Sequence, residues 1–329
     1  MKSYNELTKQ GKIRRLRQVV FKALEQYELS VEKVKFLTIA TNTMFQVWEE
    51  NGEKYVLRIY SEEETTLKEN KAEMFWLDAL KQDTTLKVVE PVKRADDEYI
   101  SIISVPGVPK DRRCVLFKWV QGKPLENNLS AENYYKFGQT LAKLHTNATS
   151  LKPLPSDIQP KKWDKVFYYP DEPVVYNTPE YVHLFPPERI EVIDKVIERA
   201  NDVFAGLFSN KDKQILIHGD LHFWNVHLYR GELIVIDFED INLGYPVQDI
   251  AVTLMYGRER DGYKEWRRAF QEGYNSIRMW PVDGERTIET LMAARLVMFI
   301  NYVARIDPSP LEYVERRTKN LEQYLKAFG

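Results

Sequence analysis

Cysteine is almost absent from this chain of 329 residues: Cys114 stands alone, which excludes an intramolecular disulfide and fits a reducing, cytoplasmic setting. An excess of either charge is missing too. Lysine and arginine number 47 against 49 aspartates and glutamates, so the basic surplus of a general nucleic-acid binder is lacking and no such partner is expected. No apolar run approaches the ~20 residues of a membrane helix, and no membrane partner is expected. The amino terminus is basic, with Lys9, Lys12, Arg14, Arg15 and Arg17, but has neither the apolar core nor the small-residue cleavage site of a signal peptide. Leu16, Val20 and Leu24 recur there at helical spacing, with Val19 and Ala23 beside them, and predict a surface helix packed on the body. Internal repeats and low-complexity tracts are lacking, and the sequence says nothing of oligomeric state.

A chain of this length exceeds what one hydrophobic core usually serves, so two lobes are expected. An apolar content of 43 % suffices to build them. Residues 34–60 read as strands, with Asn51-Gly52 between two alternating runs as a hairpin cue. Further strand-like runs lie at 98–104 and 114–120, and helical patterns at 66–80, 130–147, 246–256, 262–277, 285–305 and from 311 onward. Ser130 is placed to cap the second of these helices. Residues 151–187 hold eight prolines and several aromatics without a clear period. Such an insertion is read as a substrate-side segment or lid, with Trp163 either a ligand contact or an anchor.

The most informative stretch is 215–249. Three apolar residues lead into His218-Gly219-Asp220-Leu221-His222-Phe223-Trp224-Asn225, and two short strands joined across Arg230-Gly231-Glu232 then end at Asp237-Phe238-Glu239-Asp240. Antiparallel pairing about a tight turn sets Asn225 opposite Ile236 or Asp237, one strand spacing of ~4.8 Å away. Two hard oxygen donors at that distance suit Mg²⁺. Asp220 lies on the loop, where it can meet a substrate hydroxyl instead of the metal. The histidines of the same loop admit another chemistry, a metal-dependent phosphohydrolase built on His218, Asp220 and His222, with structural roles as the plainer alternative.

The Asp-x-x-x-x-Asn spacing followed by a strand-terminal Asp resembles the signature of the aminoglycoside phosphotransferase superfamily, which includes choline kinases, homoserine kinase type II and a bacterial stress-response kinase. The resemblance implies an α+β, two-lobed protein-kinase-like fold: a small sheet-based lobe over 1–116, a hinge at 117–122 and a mostly helical lobe over 123–329. It implies ATP and Mg²⁺ as cofactors and transfer of the γ-phosphoryl group to a hydroxyl of a small molecule. By the same resemblance Asp220 is the catalytic Asp, Asn225 and Asp237 hold the metal, and Asp249 steadies the loop. Arg58 stands where the family has a strand Lys over the phosphates, and Glu73 is its helix partner, with Glu69 as the competing carboxylate. Thr41-Asn42-Thr43 lacks glycine, yet by position Thr43 covers the nucleotide, and the Lys118 carbonyl and Val120 amide present the hinge edge to the adenine.

The acceptor is the open end. His222, Trp224 and Glu239 suggest an acidic, aromatic wall suited to a cationic amino alcohol, whereas Arg295 suggests a carboxylate, as in homoserine; aminoglycosides are compatible. Phe223-Trp224 departs from the small or Pro-Gly pair of many relatives. A protein Ser/Thr kinase like the stress-response member and a nucleotide-binding protein without turnover are the alternatives.

Overall fold

Thr8 accepts the Gly11 amide and so caps α1 (Lys9–Leu24), whose buried face is Leu16, Val19, Val20, Ala23 and Leu24, the apolar spacing seen in the sequence. The computed structural model that shows this describes residues 3–169, 171–210, 213–282 and 284–328. Following α1 come β1 (Val31–Ile39), β2 (Thr43–Glu49) and β3 (Lys54–Ile59); α2 (Leu67–Asp83) then begins at a capping box in which Thr66 and Glu69 satisfy each other's amides. Glu69 is therefore spent on the cap. The chain continues through β4 (Lys87–Val88), β5 (Ser101–Ile103) and β6 (Arg112–Lys118). A five-stranded sheet in the order β1-β2-β3-β6-β5 results, antiparallel throughout, and α1 packs on β5 and β6.

A second sheet runs β4-β10-β9-β7, from β7 (Lys123–Pro124), β9 (Val226–Tyr229) and β10 (Glu232–Val235). The β9–β10 turn is Arg230 and Gly231, at φ 51° and 82°. Positive φ at both central residues is what a two-residue hairpin turn of the I′ kind requires. The remaining elements are α3 (Ala131–Thr149), capped by Ser130, α4 (Pro187–Phe208), β8 (Ile215–Ile217), β11 (Asn242–Gly244), which pairs antiparallel with β8, α5 (Pro246–Met255), α6 (Tyr263–Asn275), α7 (Arg286–Ile306) and α8 (Leu311–Phe328).

Two compact units result, one comprising Met1–Pro124, Leu151–Pro160 and His227–Glu239, the other Leu125–Ser150, Lys161–Val226 and Asp240–Gly329. The division is discontinuous where a single cut at 117–122 is expected, because β10 pairs in parallel with β4 and Lys71 bonds Asp157. The architecture is α+β, with the five-stranded sheet in the first unit and the β8–β11 pair and most helices in the second.

The expectation that no segment is long and apolar enough for a membrane needs correction at α7. By length and composition this helix qualifies, but 72 % of its apolar window is buried inside the protein, where it packs on α4, α5 and α8. Its buried residues include Arg295 and Asn301, which makes it a core helix with a polar task. Trp163 is 1 % exposed and packs edge-on against Phe204, while its carbonyl accepts from Gln248 Nε2 at 2.6 Å. It anchors the insertion instead of facing a ligand.

Candidate active site

The residues after β8 are held by backbone bonds to one side chain. Asp249, fully buried on α5, accepts the His218 amide on Oδ2 at 2.8 Å and the Gly219 amide on Oδ1 at 2.7 Å. His145 stands behind it, with Nε2 at 3.1 Å from Asp249 Oδ2 and Nδ1 at 2.8 Å from the Tyr274 hydroxyl. A carboxylate only accepts, so Nε2 carries the proton and Nδ1 accepts from Tyr274. Burial lowers the His145 pKa although Asp249 pulls it upward, and the ring is neutral. Thr253 Oγ1 adds a bond to the Leu221 carbonyl at 2.7 Å. The loop is rigid at its root.

Asp220 is the product of this rigidity. Its Oδ1 accepts from Arg295 Nη2 at 3.1 Å and from the Tyr256 hydroxyl at 3.3 Å, and its Oδ2 lies 3.3 Å from His222 Nε2. His222 Nδ1 accepts the Trp224 amide at 3.2 Å, which leaves the ring proton on Nε2, facing Asp220. Burial pushes the Asp220 carboxyl upward, but the His222 hydrogen bond and the Arg295 charge outweigh it and hold it well below the ordinary carboxylate range. A carboxylate offers about four acceptor positions; three are filled from among the described residues, which leaves one on Oδ2 of a side chain that is 21 % exposed. Asn225 Nδ2 donates to the Asp220 carbonyl at 3.0 Å, so the amide oxygen is its remaining polar end. Trp224, 40 % exposed, meets Tyr256 edge-on at 5.5 Å and bonds Glu126, which Arg260 also holds.

In the first unit Arg58 organises a second polar group. Its Nη1 donates to Glu73 Oε1 at 2.9 Å, the pairing implied by the family likeness, and its Nη2 to Asp237 Oδ1 at 2.9 Å; Glu239 lies 3.9 Å away. Tyr60 donates to Glu73 Oε2 at 2.6 Å. Burial works against the Arg58 charge, and Glu73, Asp237 and Glu239 together raise its pKa well above the ordinary arginine value. Asp237 sits at φ 64°, a left-handed conformation that costs a non-glycine residue ~1–2 kcal/mol and clusters at functional positions.

Glu239 faces Arg58 and accepts from Asn42 Nδ2, so it belongs with the Arg58 group rather than with Asp220. Asn42, expected with Thr41 and Thr43 to cover the nucleotide, also accepts the Ser61 amide on Oδ1 at 3.0 Å. Thr43 is buried as the first residue of β2, Lys118 ends β6 with its ammonium on Glu90 at 2.9 Å, and Val120 follows in the connecting segment. Among the described residues no group of three His, Cys, Asp or Glu side chains is arranged to hold a metal.

Along the chain a loop Asp held by a buried Arg is followed by an Asn five residues on and by a strand-following Asp at positive φ. The chain belongs to the phosphotransferase enzyme family designated APH, whose model matches residues 33–286, and it is a phosphotransferase acting on hydroxyl groups. It is 24 % identical to amicoumacin kinase of Bacillus subtilis over 237 residues, 72 % of this chain and 67 % of that protein. Two solved structures share the fold. An amicoumacin kinase in complex with AMP-PNP, Ca²⁺ and Ami superposes with a TM-score of 0.77 at 20 % identity, covering 96 % of each chain. A microcompartment-associated aminopropanol kinase gives a TM-score of 0.77 at 20 % identity, covering 95 % of this chain and 98 % of that one.

Proposed function

We propose that the protein transfers the γ-phosphoryl group of ATP, presented with Mg²⁺, to a hydroxyl of a small amine-bearing molecule. The observation that carries this reading is the Asp220 carboxylate: kept ionised, aimed by three donors, and left with one acceptor position for a hydroxyl. Phosphoryl transfer through a loose transition state asks for alignment more than for basicity.

Asn225 and Asp237 are the proposed magnesium ligands, on the chemistry of their donor atoms. Asn225 has spent its nitrogen on the Asp220 carbonyl, and Asp237 binds Arg58 through Oδ1 alone, so each keeps a hard oxygen of the kind Mg²⁺ prefers. Bound there, the ion would neutralise phosphate charge. Arg58 brings further positive charge, and Thr43, the Lys118 carbonyl and the Val120 amide are the proposed nucleotide contacts.

Trp224 and Tyr256 support an amine on the acceptor, since aromatic faces attract cations. Arg295 is held by Asp220 and Tyr168, which favours an amino alcohol over a homoserine-like acceptor. The solved kinases carrying AMP-PNP and Ca²⁺, or named for aminopropanol, support the same choice.

The test is ADP release from Mg·ATP across amino alcohols, homoserine, aminoglycosides and a mixed protein extract. Release confined to amine-bearing alcohols is the expected result. Phosphorylation of protein alone, or phosphomonoester hydrolysis without nucleotide, would overturn it.

A further inference from the structure

We propose that Tyr168 and Tyr169 position the Asp220 carboxylate through Arg295, which makes residues 161–169 of the insertion a fixed part of the catalytic centre. The proposal rests on Asp220 being the catalytic group. Arg295 is 4 % exposed, and Asp220 is the carboxylate it pairs with. A guanidinium so buried, with its Nε unpartnered among the described residues, depends on its Nη contacts for its orientation. Nη2 goes to Asp220, and Nη1 to the Tyr168 hydroxyl at 2.9 Å and Met298 Sδ at 3.8 Å. Phe299 and Trp163 lie under the guanidinium at 5.2 and 5.9 Å.

The direction of each bond follows from what the end groups can do. Arginine only donates, so Tyr168 accepts from it and passes its own proton toward the Tyr169 hydroxyl at 3.2 Å. Tyr169 in turn donates to Asp240 Oδ1 at 2.9 Å, which Lys161 Nζ also reaches at 3.0 Å. The path from Asp220 to Asp240 is unbroken, and both its tyrosines come from the insertion. Without the Tyr168 hydroxyl, Nη1 is left among the described residues with a thioether contact, the hold on Arg295 loosens, and Asp220 Oδ1 loses its fixed anchor. The open position on Oδ2 would then point away from the incoming hydroxyl.

The experiment measures ADP release from Mg·ATP with 1-aminopropan-2-ol as acceptor, introducing Tyr168→Phe into the wild type and into Asp220→Asn. In the wild type Tyr168→Phe is expected to lower kcat about 10-fold, with the KM for Mg·ATP and the melting temperature unchanged. In Asp220→Asn the same substitution should cost nothing more, because the group it acts through is gone. Arg295→Met should fall below Tyr168→Phe, and Arg295→Lys should recover part of that loss. An equal fold-loss from Tyr168→Phe in both backgrounds, or no loss in either, overturns the positioning role. Wild-type turnover by Asp220→Asn would instead sink the catalytic assignment, which keeps the two failures apart.

Discussion

Asp249 Oδ1 accepts the Gly219 amide at 2.7 Å, so a residue thirty positions downstream sets the backbone from which Asp220 is launched. Gly219 holds φ 81° there. A Cβ at this position would meet the Asp240 carbonyl and Asn242 Nδ2.

Gly219→Ala therefore has two costs, a left-handed backbone and a collision with main chain that has little room to yield. A destabilisation of about 2 kcal/mol or more is expected, together with loss of turnover in the fraction that folds. Chemical denaturation beside the ADP-release assay checks both; a variant with unchanged midpoint and rate would show that the loop is not held as described.

His145 makes stability depend on pH. Its folded pKa is depressed by burial below the ordinary histidine value, so between the two values the unfolded chain binds the extra proton and stability rises with pH. The contribution is complete above the unfolded pKa and is lost as pH falls below it toward the folded value, at up to about 1.4 kcal/mol per pH unit. Replacing His145 by Gln keeps a donor for Asp249 and should flatten this slope between pH 5 and 7. Denaturation midpoints for the two proteins across that range decide it; parallel slopes would remove His145 as the source.

Asn225→Ala and Asp237→Ala are expected to raise the Mg²⁺ concentration needed for half-maximal ADP release by about 10-fold or more. Asp237→Ala also frees Arg58 from one of its carboxylates, so nucleotide affinity measured by calorimetry at low Mg²⁺ should hold or rise. An unchanged Mg²⁺ requirement in both variants would take these residues out of the metal site.

The parts legible in the sequence were those fixed by short spacing. The spacing of Asp220, Asn225 and Asp237 is local; so are the Ser130 cap and the apolar stripes of α1, α3 and α7, and the structure forms these helices where the periodicity sets them. The Arg58–Glu73 pair lies 15 residues apart and was reached only through the family likeness. What escaped depends on long-range packing. Tyr168 and Tyr169 sit in a stretch without period, and nothing local ties them to Arg295 on α7, 127 residues from Tyr168. Helix α4 went unassigned although its buried Ile193, Val196, Ala200 and Phe204 recur at helical spacing, and Asn42 finds Glu239 across 197 residues. Glu239 read as a substrate-side acid or a structural acceptor because it follows Asp237; Arg58 and Asn42 are among its partners.

The most direct test of the account is Asp220→Asn, with ADP release and Mg·ATP binding measured on the same preparation. Turnover should fall by about 10³-fold or more while the nucleotide dissociation constant stays within a few-fold of the wild type, because Asp220 is assigned to the hydroxyl and not to the phosphates. Turnover near the wild-type rate, or an equal loss of nucleotide binding, would contradict it.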